Sequence, residues 1–448
     1  MTAASHPTPS LPSTLCALPK DDAQRQVLHD EVHARPPARI RLPALVVYVA
    51  VLNDGVSREM EWEHLRRLPG QEGLTLEQLS GNFQRLRFAN HTLKWERHTE
   101  FTRYSLVQAL PDKAMQGCSD EEMIAELVID PQWLAQIPGR TIAAIMLAMV
   151  HGDVDDAAAM RAQAAPWIND PAILASLLGI RRSCALTNFE LRDSGFERIL
   201  VISPPNTSEL RSGRTSQRLL ELETYRIMAL RGLPVAKDLS AMLGESENQL
   251  AEITAEMENT EASDQDLLNQ LIGLAARVER ATAKHMYRFS ATEAYHNLVE
   301  QRITQLRETP IPGTQSIGEF MQRRVAPAMT TVQATARRLS LLSQRIERAS
   351  ALLRTRVDIA TETQNQMLLE KLTKGQALQL RLQTTVEGLS IAAISYYVVS
   401  LILYVGKAAK AAGLPVNPEI LAGAMIPAVL LGIWWGTQRI HKILKADH

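Results

Sequence analysis

The spacing of apolar and polar residues divides the chain into an N-terminal part of mixed elements and a helical C-terminal part. The run ALVVYVAVL at 44–52 is apolar and β-branched, which is typical of a buried strand, and an amphipathic helix is predicted at about 56–68. Further strands are predicted near 83–89, 92–98, 100–108, 141–150, 183–191 and 197–203. From about Ser208 onward helical spacing replaces these patterns. The first two hundred residues therefore predict an α+β domain.

One long helix is predicted to begin near Pro327, because no other proline occurs before Pro415. Its apolar residues alternate in steps of three and four, which is typical of a coiled coil. They are Leu339, Leu342, Ile346, Ala349 and Leu353, and the same helix is expected to continue through Leu368, Leu372, Leu382 and Val386 into the membrane. We therefore expect a homo-oligomer formed through the long helices.

Two runs near the C-terminus are long enough to cross a bilayer as helices. GLSIAAISYYVVSLILYVG and ILAGAMIPAVLLGIWWGTQ each contain about 19 residues without a charge. Gly413 and Pro415 between them suit a turn. The sequence thus predicts a transmembrane helical hairpin that places the lipid bilayer among the partners.

The distribution of basic residues predicts the orientation of this hairpin. Basic residues lie before the first run and after the second, namely Lys371, Lys374, Arg381, Arg439, Lys442 and Lys445. Only Lys407 and Lys410 lie between the runs. Because basic flanks remain in the cytoplasm, we expect two spans with both termini of the chain cytoplasmic.

Composition excludes several classes of protein. The chain has 48 basic and 49 acidic residues, so it lacks the positive surface that a nucleic-acid-binding protein needs. Cys16, Cys118 and Cys184 form no CxxC pair, which predicts neither a disulfide framework nor a zinc site. Residues 1–20 do not resemble a signal peptide, and we expect a disordered tail.

The stretch LKWERHTEF carries the densest candidate chemistry. On a continuous strand Lys94, Glu96, His98 and Glu100 share one face, and Leu93, Trp95, Arg97, Thr99 and Phe101 share the other. An imidazole between two carboxylates is suited either to binding a divalent cation or to general acid–base catalysis. A solvated polar face opposite a core face is the simpler interpretation, since neighbours two residues apart on a strand lie about 6.5–7 Å apart.

DEVHARPP at 30–37 has two interpretations. Pro36 disfavours helix at Arg35, so His33 and Arg35 are placed at a helix end, where a cation meets exposed carbonyls. Alternatively, Arg35 binds an anionic ligand and His33 transfers a proton. Farther along, Glu223 and Arg226 are spaced for an ion pair on one helix. We find no phosphate loop, nucleophile elbow or dinucleotide fingerprint, and no cofactor is predicted.

Eight stretches together resemble one known family. They are EVHARPP, LKWERHTEF, NFELRDSGFERILV, RLLELETYRIMALRGLPVA, RFSATEAY, RRVAPAMTT, LLRTRVDIATETQNQMLL and LQLRLQTTVEGLSIAAISYYVVSLILYV. The family comprises uncharacterised, predicted membrane-anchored bacterial proteins defined by a domain of unknown function. This resemblance implies a cytoplasmic domain held at the inner membrane by C-terminal helices, and it implies no activity or catalytic residue.

These observations predict five regions: a tail at 1–20, an α+β cytoplasmic domain at 21–205, a helical region with a long coiled-coil-like helix at 206–387, a transmembrane hairpin at 388–438 and a basic cytoplasmic tail at 439–448. A non-enzymatic interaction or scaffold protein fits them best, with its protein partner unknown. A cation channel or transporter is the second hypothesis, because the arrangement is similar to two-span magnesium channels of the CorA type, although their Gly-Met-Asn loop is absent. A membrane-bound enzyme or ligand sensor using His33, Arg35, Glu96, His98 and Glu100 is the third hypothesis.

Overall fold

The structure of the chain, a computed structural model, describes residues 22–26, 28–29, 36–169, 172–259, 262–415 and 417–444. It divides into two compact units. The first contains Met1–Glu261 and Asn269–Glu347, and the second contains Ala262–Leu268 and Arg348–His448.

A nine-stranded sheet forms the centre of the first unit. Its strands are β1 (Ala44–Leu52), β2 (Phe83–Arg87), β3 (His91–Arg97), β4 (Phe101–Ala109), β5 (Arg140–His151), β6 (Leu174–Leu178), β7 (Ser183–Thr187), β8 (Glu197–Ser203) and β9 (Thr309–Pro310). Their order is β2-β3-β4-β1-β5-β8-β7-β6-β9. Only β5 and β8 run parallel, and the other neighbours are antiparallel. The predicted strands are confirmed, whereas β6 and β9 were not predicted.

Helices cover both faces of this sheet. One face carries α1 (Arg58–Arg66), α2 (Asp120–Ala125), α3 (Pro131–Ala135) and α4 (Ala157–Ile168). The other carries α5 (Glu209–Leu230), part of α7 (Asp264–Leu306), α8 (Ile317–Arg324) and the beginning of α9 (Ala326–Ala411), and α6 (Gly232–Glu256) follows α5 along the chain. Strand β1 is buried along its whole length because its alternate residues enter the two hydrophobic clusters.

The helical character of the second half is also confirmed. Helix α9 has 86 residues, and its predicted apolar stripe from Leu339 to Leu353 is buried within the chain. That part of the stripe is therefore already covered by intrachain packing. Apolar residues farther along α9, including Leu368, Leu372 and Leu382, are exposed.

The second unit contains the end of α9 and the last helix, α10 (Pro418–Leu444). Gly413 has φ 93° and its N–H donates to the Lys410 carbonyl at 3.2 Å, which ends α9 in the predicted turn. Gly406 lies close to Pro418, where an added Cβ would be 3.3 Å from the proline Cα. A side chain at Gly406 would therefore crowd the start of α10.

Candidate functional site

The β3–β4 hairpin positions most of the residues predicted to be functional. In its antiparallel register Glu96 lies opposite Arg103, and Trp95 lies opposite Tyr104, so each pair shares a face. Leu93 and Trp95 enter the hydrophobic cluster beneath α1, as their alternation with Lys94 and Glu96 predicts. The predicted alternation is therefore correct through Arg97.

Beyond Arg97 the alternation fails, because β3 ends there and a turn leads to Phe101. Phe101 lies in the cluster beneath α5, on the opposite face from Trp95, so its predicted side was wrong. His98 stays in the turn, where its N–H donates to the Phe101 carbonyl at 2.8 Å and its ring stacks on Phe101 at 4.6 Å. Asn53 Nδ2 donates to the His98 carbonyl at 2.9 Å.

Glu96 is part of a buried ionic chain, which we call the β3–α5 network: Lys94, Glu96, Arg103, Glu221 and Arg302. Glu96 Oε2 lies 3.1 Å from Lys94 Nζ and 2.5 Å from Arg103 Nε. Arg103 Nη1 continues to Glu221 Oε1 at 3.0 Å, and Glu221 Oε2 accepts from Arg302 Nε at 2.6 Å. Arg103, Glu221 and Arg302 were not predicted, because Glu221 is 118 residues from Arg103 in sequence.

The electrostatics of this network favour charged carboxylates. Burial raises the pKa of Glu96, but the charges of Arg103 and Lys94 outweigh burial and lower it to about 2. Burial opposes ionisation of Glu221 too, yet Arg103 and Arg302 lower the pKa of that carboxyl. Glu96 is therefore a poor general base at neutral pH, because a carboxylate with so low a pKa accepts a proton weakly.

Glu100 is held separately, outside the β3–α5 network. Its two carboxylate oxygens accept from Arg288 Nη1 and Nη2 at 2.9 and 3.1 Å, a bidentate pair with helix α7. Glu96 and Glu100 thus have different cationic partners, and the structure does not assemble Glu96, His98 and Glu100 into one cluster. In the described part of the chain, no group of three His, Cys, Asp or Glu side chains is arranged to hold a metal ion.

DEVHARPP can be followed only at its end, because His33 and Arg35 lie outside the described residues. Arg85 Nη2 on β2 donates to the Pro36 carbonyl at 3.0 Å and to the Pro37 carbonyl at 3.4 Å. Ala38 then passes against α5 at Gly213, where an added Cβ would be 1.6 Å from the Ala38 carbonyl oxygen. The segment that follows DEVHARPP therefore needs a glycine at this point of the helix.

A small cavity lies where this segment meets the β3–α5 network. Ala38, Lys94, Glu96, Arg103 and Gln217 are among its lining residues, and its volume is about 30 Å³. Glu96 Oε1 is buried there and has no hydrogen-bond partner among the described residues. A space of this size suits a water molecule rather than a metabolite, because one water needs about 10–15 Å³ measured in this way.

A second buried ionic cluster lies between β8 and α5. The predicted pair of Glu223 and Arg226 is confirmed, with Arg226 Nε donating to Glu223 Oε2 at 2.7 Å. Glu197 joins this pair, 3.5 Å from Arg226. Burial and the neighbouring charge of Glu223 raise the pKa of Glu197 well above its ordinary range. A carboxyl that holds its proton at neutral pH can therefore share it with its neighbour.

Two helical stretches in the described part of the chain each contain a window of 18 residues that is apolar enough to cross a membrane. They are Ile317–Ala411 and Pro418–Thr437, and only 6% of the most apolar 18-residue window in each is buried. A core helix of a soluble domain would have most of such a window covered by its own chain. The two stretches are thus compatible with membrane anchoring.

Comparison with known proteins gives a family and no activity. A family model described as "Protein of unknown function (DUF3422)" matches residues 20–444. No curated protein and no solved structure shows significant similarity to the chain. The match confirms the resemblance to a family without an assigned function.

Proposed function

The chain belongs to the DUF3422 family of proteins of unknown function, and from this premise we propose that it is a non-enzymatic scaffold anchored in the bacterial inner membrane. The observation that carries the proposal is the exposure of the apolar parts of α9 and α10. Residues such as Leu401 and Leu431 are 68% and 64% exposed. Leaving so much apolar surface in water is unfavourable, and a bilayer would remove it.

The ionic contacts of the sheet domain support a role in binding rather than catalysis. Two carboxylates that were candidates for acid–base work, Glu96 and Glu100, are both engaged by arginines. The cavity beside Glu96 holds about 30 Å³, far less than the roughly 300 Å³ typical of a small-molecule site. These features favour a structural role for Glu96 and Glu100, and they favour a scaffold over an enzyme that uses these two carboxylates.

Carbonate extraction of membranes tests the anchor. The full chain should stay with the membrane pellet, and a version that ends at Glu387 should be released. Release of both versions would contradict the proposal.

Fusion proteins test the orientation of the hairpin. The basic flanks favour cytoplasmic termini, so green fluorescent protein at the C-terminus should fluoresce, as it does in the cytoplasm. Alkaline phosphatase fused after Gly413 should be active, because the loop between the two spans would then lie on the opposite side of the membrane.

We also propose that two copies associate through the exposed part of α9. Leu368, Leu372, Leu382 and Val386 lie on one stripe of the helix and are 58–64% exposed. They form two pairs with a four-residue step, separated by ten residues, so all four side chains project from the same side of the helix. A second copy in the same membrane presents the same side of its helix in parallel, which allows the two apolar surfaces to pack. The occupant of this stripe is therefore a second copy of the chain.

Light scattering of the detergent-purified protein tests this association. Leu382→Glu should reduce the molar mass to that of a monomer, because it places a charge in the stripe. Leu380→Glu is the matched control, since Leu380 is 64% exposed and projects from the other side of the helix. Equal masses for both variants would refute the stripe. A molar mass of four or more copies that is lost when the hairpin is removed would favour the channel hypothesis over the scaffold.

A further inference from the structure

Five arginines surround a single cleft beside the turn between β6 and β7. The cleft has a volume of about 300 Å³. Its arginines are Arg182, Arg211, Arg214, Arg218 and Arg307. This volume is in the range of small-molecule sites, which begins at about 300 Å³.

Three elements bring these side chains together. Arg211, Arg214 and Arg218 are spaced by three and four residues on α5, which places them on one side of that helix. Arg182 lies in the β6–β7 turn, and Arg307 follows the last residue of α7. The Gly179 N–H donates to the Leu306 carbonyl at 2.9 Å, which fixes the turn against the end of α7.

The positive charge of this cleft is not balanced by the protein. In the part of the chain that the structure describes, no carboxylate forms an ion pair with any of the five arginines. Burial lowers the pKa of Arg218, and the charges of Arg214, Arg302 and Arg307 lower it further. Arg218 Nη1 has one neutral acceptor, the Gln305 carbonyl, at 3.1 Å. Concentrated positive charge of this kind attracts an anion.

The turn that carries Arg182 has a strained backbone. Ile180 and Arg181 have φ values of 62° and 59°, in the left-handed region that a β-branched residue such as isoleucine rarely adopts. The turn has four residues, 179–182, and its first residue, Gly179, also has a positive φ, 60°. Strain of this kind concentrates at functional sites.

We propose that this cleft binds a soluble small molecule carrying two or more phosphate groups. Guanidinium groups match phosphate oxygens in a planar, bidentate geometry, and five of them match several such oxygens at once. A single phosphate has about two negative charges and would leave most of the five arginines unpaired. The site is distinct from the β3–α5 network, whose arginines already have carboxylate partners.

Inorganic pyrophosphate is the probe for this site, tested on the full chain in neutral detergent at constant ionic strength. Pyrophosphate should raise the unfolding temperature of the sheet domain and bind measurably in calorimetry, and inorganic phosphate should bind more weakly. The double variant R214Q/R307Q should bind pyrophosphate at least about 100-fold more weakly, since each lost charged hydrogen bond weakens binding about ten-fold or more. Both arginines are exposed, so the variant should fold.

R280Q is the matched control, because Arg280 is an exposed arginine on α7 outside the cleft. It should retain the affinity of the unchanged chain. Without ligand, R214Q/R307Q should unfold at the same temperature as the unchanged chain or a higher one, since two repelling charges are removed. Equal pyrophosphate binding by both variants would overturn the proposal. Binding of soluble dioctanoyl phosphatidic acid in place of pyrophosphate would also overturn it, because the ligand would then be a lipid headgroup.

Discussion

Replacing Arg103 by methionine is the sharpest test of the β3–α5 network. The substitution keeps an unbranched side chain of similar length but removes the guanidinium that joins Glu96 to Glu221. Both carboxylates would remain buried, because their side chains are only 1% and 5% exposed. Each would then depend on one remaining cation, Lys94 for Glu96 and Arg302 for Glu221.

The expected loss can be worked out in two ways. Breaking a buried ion pair by removing one partner costs about 3–5 kcal/mol, and the two remaining cations favour the lower end of that range. Independently, lowering the pKa of Glu96 from 4.5 to about 2 contributes about 3 kcal/mol at neutral pH. We therefore expect Arg103→Met to lower the free energy of unfolding by about 3 kcal/mol.

This loss should depend on pH in a defined direction. The pKa of Glu96 is lower in the folded chain than its ordinary value of 4.5, so the unfolded chain binds more protons between these values. The stabilisation is therefore present above pH 4.5 and disappears as the pH falls towards 2. Acidification should destabilise the unchanged chain more than Arg103→Met, and the difference between them should shrink.

Urea unfolding followed by tryptophan fluorescence measures the effect, because Trp95 and Trp167 are fully buried in the sheet domain. Arg181→Met is the control, since Arg181 and Asp155 form an exposed pair at 3.0 Å and exposed pairs contribute less than about 1 kcal/mol. A loss below about 1 kcal/mol for Arg103→Met would refute the reasoning.

Three further predictions concern single buried positions. Burial and the charge of Arg67 lower the pKa of His64 to about 4, so its imidazole binds a proton less readily in the folded chain than in the unfolded chain. The free energy of unfolding should therefore fall by up to about 3 kcal/mol as the pH drops from 6.5 to 4. His64→Phe should reduce this fall, measured by urea unfolding at several pH values. The pKa of Glu197 is raised in the folded chain, so the unfolded chain releases this proton first and stability falls as the pH rises above the ordinary value of 4.5. Glu197→Gln, which cannot ionise, should therefore raise the unfolding temperature at pH 9 relative to the unchanged chain, and an equal effect at pH 5 would contradict this. Gly213→Ala should destabilise by about 1–3 kcal/mol because its Cβ would meet the Ala38 carbonyl, whereas Gly244→Ala, with open space around it, should stabilise by up to about 1 kcal/mol in the same unfolding assay.

The strand and helix pattern could be predicted from sequence wherever an element was long or strongly periodic. Strand β1 and helix α9 belong to this class. Strand β6 was missed because its five residues, LASLL, fit a buried strand and a helical turn equally well. Separate strands were predicted near 92–98 and 100–108, but the faces of LKWERHTEF were assigned as on one continuous strand, because RHTE contains neither glycine nor proline to mark a turn.

The site was harder to predict than the fold, because its contacts join distant parts of the chain. Lys94 and Glu96 were assigned correctly to one face, since alternation along a strand is local. Their relation to Glu221 depends on how α5 packs on the sheet, which no local pattern encodes. The arginine cleft has the same origin, as the spacing of Arg211, Arg214 and Arg218 is visible in sequence but the approach of Arg307 is not.

The outermost strands of the sheet have a consequence for a protein that we propose to be confined to a membrane plane. β9 has two residues and ends in Pro310, which has no N–H to donate, and β2 carries Arg85 and Arg87. A short strand with proline and a strand with repelling charges are both poor templates for another strand. Crowding in two dimensions raises the frequency of collisions between copies, and an open apolar strand would then seed aggregates. Many copies of this sheet can therefore lie close together on a bilayer without aggregating through their edge strands. Contacts between neighbouring copies are then made by the helices.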